Sequence, residues 1–118
     1  MPDLRHRVSE ICAALPGAEA SDPWGGEHEA WKVGGKMFAC FGSVDPGVSV
    51  KTSDIETATL LIDAQVARRA RYFHHSWVNL PEEVEDDELT HRIVSSYDIV
   101  RSGLTKKMQV ALPAREGG

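Results

Sequence analysis

The stretch Trp31 to Gly42, WKVGGKMFACFG, limits what this chain can fold into more than any other. Two apolar runs flank Gly34 and Gly35. A two-residue hairpin turn needs positive φ at both central positions, which glycine adopts without steric cost. The pattern therefore predicts a β-hairpin with Val33 opposite Lys36, Lys32 opposite Met37, Trp31 opposite Phe38 and Ala30 opposite Ala39. In that register Trp31, Val33, Phe38 and Cys40 share the core-facing side, while Lys32, Met37, Ala39 and Phe41 share the other. After the turn-forming GSVDPG, Val48 and Val50 alternate with Ser49 and Lys51, which predicts a third strand with one polar face.

Helical periodicity surrounds this strand region. Leu4, Val8, Ile11, Cys12 and Leu15 recur on one face behind Asp3 as N-cap, and Pro16–Gly17 stops the run. Residues 17–28 read as a loop or very short edge strand pinned by Trp24. Ser53 followed by Glu56 has the capping-box spacing, and it opens a helix carrying Ile55, Ala58, Leu61 and Ile62. ARRARYFHHSWVNLP reads as two short strands, near Arg71 to His74 and Ser76 to Leu80. Asp86 or Asp87 then caps a long helix with Leu89, Ile93, Tyr97, Val100 and Leu104 along one stripe. A chain of 118 residues buries one core without disulfides or metal. The expectation is a single α+β domain over residues 1–112, an antiparallel sheet packed on helices in two layers in the order α-β(3)-α-β(2)-α. Residues 113–118 are expected to form a disordered tail.

Charge narrows the functional classes. The net charge is -5, but EEVEDDE at 82–88 concentrates carboxylates where a helix begins, and a helix N-terminus favours negative charge. Outside that run acids and bases nearly balance. Between Lys32 and Trp77 the bases Lys32, Lys36, Lys51, Arg68, Arg69 and Arg71 outnumber the acids, an excess well short of a strong phosphate binder. Arg68, Arg69 and Arg71 adjoin Tyr72, Phe73 and Trp77, the mixture of cations and aromatics found at nucleic-acid and protein contacts; a solvated helix end over core aromatics accounts for the same pattern. No apolar run approaches the roughly 20 residues that span a bilayer, and no secretory h-region is visible, so a cytoplasmic protein without a membrane partner is expected. Cys12 and Cys40 read as reduced core residues. His74 and His75 are adjacent, which on a strand sends them to opposite faces, so they make a poor zinc pair. With no serine elbow, P-loop, dinucleotide fingerprint or paired-carboxylate motif, neither catalysis nor a cofactor or metal is expected.

LPGAEA, WGGEHEAWKVGGKMFACFG, VSVKT, WVNL and SYDIVRSGL, in this order and spacing, resemble the MmcQ/YjbR-like family of small bacterial proteins. The resemblance runs from Leu4 to about Lys107. It implies a fold related to type III secretion chaperones, in agreement with the element order above. It also implies a DNA-binding role by likeness to a double-wing domain, whose sheet face and hairpin wings meet the duplex. Under that implication Lys32, Lys36 and Lys51 are the candidate contacts, extended by Arg68, Arg69 and Arg71. A chaperone-like protein-binding module, as monomer or homodimer, is the second implication.

Overall fold

The computed structural model describes residues 3–21, 29–41, 47–70 and 73–112. The hairpin forms as expected: β2 (Glu29–Val33) and β3 (Lys36–Phe41) are antiparallel around Gly34 and Gly35, whose φ values are +58° and +80°. Val33 pairs with Lys36 and Lys32 with Met37. The register then shifts, so that Trp31 faces Ala39, Ala30 faces Cys40, and Phe38 is the extra residue of a β-bulge. This corrects the expected pairing of Trp31 with Phe38 and of Ala30 with Ala39. One inserted residue reverses the alternation beyond it: Ala39 and Phe41 join Trp31 and Val33 in the core, while Cys40 turns to the opposite face.

The hairpin lies within a larger antiparallel sheet. Of the two readings of residues 17–28, the short edge strand forms: β1 (Ala18–Ser21) pairs with β2, and β4 (Val48–Lys51) pairs with β3. β5 is only Arg68–Arg69, earlier and shorter than the strand expected at Arg71 to His74, and β6 (Trp77–Leu80) joins it to β4. The six strands among the described residues run in the order β1-β2-β3-β4-β6-β5. Register places one residue of each strand in a row across the sheet. The row Ala20, Trp31, Ala39, Val50, Val78 and Arg69 lies on the core side, and the next row, with Ala30, Cys40, Ser49, Asn79 and Arg68, lies on the other.

Helices cover the apolar side. α1 (Leu4–Ala13) buries Leu4, Val8 and Cys12, and its N-cap Asp3 accepts from the His6 N–H at 2.9 Å. The long helix α3 (Asp86–Ser102) buries Leu89, Ile93, Ser96, Tyr97 and Val100, with Tyr97 edge-on to Phe38 at 5.4 Å between ring centroids. Complete burial of side chains such as Leu89 and Ile93 contributes about 1.5–3 kcal/mol each. The cap of α3 is Glu85 rather than Asp86 or Asp87, and its side chain makes no capping bond. The acidic run is instead held from α1: Arg7 Nε donates to Asp86 Oδ1 at 2.9 Å, and the Nη nitrogens donate to the carbonyls of Glu82 and Val84. The helix also ends earlier than expected. Leu104 belongs to the connection, and a separate helix, α4 (Lys106–Ala111), begins behind Thr105, whose hydroxyl accepts from the Met108 N–H at 3.2 Å. The expected roles of Trp24 and of the 113–118 tail fall outside the described residues.

α2 (Ile55–Asp63) places Ala58 in the core and is capped by Asp54, not Ser53. Asp54 Oδ1 accepts the Thr57 N–H at 2.7 Å, and that backbone bond, with a further one to the Thr57 side chain, holds the carboxyl below its ordinary value. A lowered folded-state pKa stabilises the fold above the unfolded value, and the contribution disappears as pH falls through the folded one. Asp54→Ala should therefore lower the melting temperature at neutral pH, and the gap from wild type should close below about pH 4 as the carboxyl protonates. Thermal melts of both proteins across the acid range check this; a gap that persists in acid would show that the charge is not what caps α2.

Candidate nucleic-acid interface

The site begins where the sheet opens. β3 and β4 pair at Ala39–Val50 and Cys40–Ser49, and the next positions are Phe38 and Lys51. There the α3 hydroxyl of Ser96 stands between the strands: it donates to the Phe38 carbonyl at 2.6 Å and accepts the Lys51 N–H at 2.9 Å. Both backbone groups are thereby satisfied while the strands part. Lys51, half-buried at this opening, directs its Nζ to Ser76 Oγ at 3.4 Å, and Ser76 Oγ lies 2.9 Å from His74 Nδ1.

Two cavities meet at the opening, and both include Lys51 and Ile99. The first, about 310 Å³, is polar: Lys51 and Arg92 supply cations, Asp98 a carboxylate, and Ser53, Thr57 and Ser95 hydroxyls. Arg92 pairs with Glu88 one turn back through Nε, which leaves the donors on its Nη nitrogens. The second cavity, about 440 Å³, is an open groove walled by Met37, Trp77, Ile99 and Val100, with Lys36 and Lys51 at its rim. Trp77 is held by stacking on Phe73, centroids 4.7 Å apart.

The expected contact residues divide accordingly. Lys36 and Lys51 come together at the groove. Lys32 lies across from Met37 on one side and from Glu19 of β1 on the other, so an acid faces it. Arg68 and Arg69 sit on the far edge of the sheet, beyond β6, and alternate to opposite faces. Arg68 donates to Asn79 Oδ1 at 2.9 Å, and Arg69 to the carbonyls of Ala70 and Phe73. The expected arginine cluster is thus not one patch among the described residues, and Arg71 lies outside them. Three cations went unnoticed in the sequence: Arg92 in the polar cleft, and Lys106 and Lys107, exposed on α4. Thr105 after Gly103 is the cap signal that marks α4. Leu104 Cδ1 and, from α4, Met108 Cε lie over the hairpin turn, 2.5 and 3.3 Å from where a Cβ on Gly34 would stand.

Two features bear on chemistry. Burial pushes the Cys40 thiol up, away from the thiolate that nucleophilic attack requires. Among the described residues no three His, Cys, Asp or Glu side chains cluster to hold a metal.

A family model described as YjbR matches residues 13–99, from the end of α1 through most of α3. The chain belongs to the YjbR family. All strands that build the opening, and the α3 residues Arg92, Ser96, Asp98 and Ile99, fall within the YjbR match; Lys106 and Lys107 lie beyond it. Among solved structures, this YjbR chain is similar to the crystal structure of Deinococcus radiodurans protein DR2400, described as a DUF419 domain. The TM-score is 0.77 at 25% sequence identity, covering 94% of this chain and 91% of that one. No curated protein matches the chain. Among the described residues no helix is long and apolar enough to cross a membrane.

Proposed function

We propose that this YjbR protein is a non-catalytic, low-affinity DNA-binding protein that uses the open end of its sheet. The observation that carries the reading is the convergence of Lys36 and Lys51 on one groove with Met37 and Trp77. Ammonium groups at the rim meet phosphates, and the apolar wall meets sugar or base. The α4 lysines follow on the element that packs over the hairpin turn, and Lys32 contributes less because Glu19 faces it. Arg68 and Arg69 are spent on the sheet edge and drop out of the contact set.

Affinity should fall with salt at a log-log slope of about -0.9 per phosphate neutralised. Lys36→Glu and Lys51→Gln should each weaken binding roughly uniformly across sequences and reduce the slope by about 1. Fluorescence anisotropy with labelled duplex and single-stranded oligonucleotides measures both. The reading is overturned by an absence of binding at about 50 mM salt, or by binding that ignores salt and both lysines.

The chaperone-like alternative draws on the exposed apolar side chains Ile55, Leu60, Met108 and Val110, the last 85% exposed. Two sit on α2 and two on α4, and neither pair has the three- or four-residue spacing that puts side chains side by side on a helix. Apolar residues scattered singly are ordinary on a surface, and a protein-docking face calls for a contiguous patch.

A further inference from the structure

The two cavities at the sheet opening differ in chemistry and adjoin through shared residues. One offers cations, hydroxyls and the Asp98 carboxylate; the other offers an apolar wall with an aromatic ring and two lysines at its rim. Each volume, about 310 and 440 Å³, lies in the range of small-ligand sites. A straight phosphate backbone contact uses only the rim and leaves both interiors empty. The occupant that fills both has a compact anionic head joined to a flat apolar body. From this we infer that the opening seats a single nucleotide unit, with its phosphate in the polar cleft and its base in the apolar groove.

The parts divide as that ligand requires. Lys51 stands between the cavities, where a 5′-phosphate joins its sugar, and Arg92 adds the Nη donors that Glu88 leaves available. Ser53, Thr57 and Ser95 supply hydroxyls, and Asp98 accepts from a sugar hydroxyl. In the groove, Met37, Ile99 and Val100 wall an apolar body, and Trp77 is braced by Phe73 so that its ring is fixed before a base arrives. A base inside a duplex is stacked on both sides and cannot enter, so the site favours unpaired nucleotides.

This inference rests on the DNA-binding reading for its biological setting but is tested apart from it. The probes are adenosine 5′-monophosphate, adenosine, inorganic phosphate, and a short oligonucleotide in single-stranded and duplex form. They are titrated into the whole protein by calorimetry and by tryptophan emission. The monophosphate should bind about tenfold or more tighter than either adenosine or phosphate, and the single strand tighter than the duplex. Arg92→Gln should erase the advantage over adenosine, and Trp77→Phe the advantage over phosphate. Arg92 is partly exposed, so its variant keeps the test valid if Trp77→Phe unfolds. Preference for the free monophosphate assigns the site to free nucleotides, and preference for the single strand assigns it to strand ends or loops; both support a nucleotide unit. Inorganic phosphate binding as well as the monophosphate, or indifference to Arg92→Gln, overturns the inference. Salt-dependent duplex binding without any nucleotide or single-strand preference overturns it and leaves the DNA reading standing. Silence from every probe overturns both.

Discussion

Gly47→Ala is expected to destabilise the fold by about 3 kcal/mol or more. Gly47 precedes β4 with φ at +96°, a conformation that L side chains rarely adopt. Space is the stronger objection. A Cβ there would sit 2.1 Å from the Leu80 carbonyl oxygen and 2.8 Å from Asn79 Oδ1. Leu80 is a backbone partner, paired to Val48 in the β4–β6 ladder, so relief requires the two strands to separate. Asn79 cannot yield cheaply either, since its side chain bonds Ser49 at 3.3 Å and Arg68 at 2.9 Å. Urea unfolding followed by circular dichroism should show a lower midpoint at unchanged slope. Gly35→Ala serves as the comparison, because it shares positive φ but has open space around the Cβ. Equal losses in the two variants would mean that strain at φ, not collision with Leu80, sets the cost.

Ser96→Ala should cost about 2–4 kcal/mol. The hydroxyl is fully buried and serves two backbone groups at once, the Phe38 carbonyl and the Lys51 N–H. Removing it leaves both without their α3 partner, and a buried unsatisfied polar group costs about 1–3 kcal/mol. Ser96→Thr, which keeps the hydroxyl, should lose less than Ser96→Ala if the bonds rather than the volume matter. Because Lys51 lines both cavities, Ser96→Ala should also weaken oligonucleotide binding in protein that remains folded, as anisotropy under native conditions would detect. A variant as stable as wild type would mean that the two strands close directly on each other without help from α3.

Helices α1, α2 and α3 were legible because their signals are local, whereas the short α4 was missed although its Thr105 cap is local too. The stripe from Leu89 to Val100 and the run from Leu4 to Cys12 each lie within one element, as does the glycine pair of the hairpin turn. What escaped in the sheet was set by distant contact. The bulge at Phe38 has no signature in KMFACF, because the residues that settle it, Tyr97 and Ser96, are far along the chain. β1 stayed open between a loop and a short edge strand because AEAS is short and weakly apolar; the edge that β2 offers makes it a strand. The candidate interface was half visible. Lys36 and Lys51 could be placed from the hairpin and the third strand, whereas Arg92 resembled an ordinary solvated helix residue until folding brought it beside Ser53. Arg68 and Arg69 misled for the opposite reason: neighbours in sequence look like a cluster, and strand alternation sends them apart.

The extra residue at Phe38 makes inside and outside on β3 a matter of odd or even count from the turn. Remove one residue there and Ala39 and Phe41 would exchange places with Cys40, although the turn and everything before it would be unchanged. Loops near hairpin tips usually tolerate changes in length. Here the few positions between Gly35 and Ala39 act as a parity bit for the rest of the strand, so relatives that differ in length at this point must restore the count within the same few residues or build a different core.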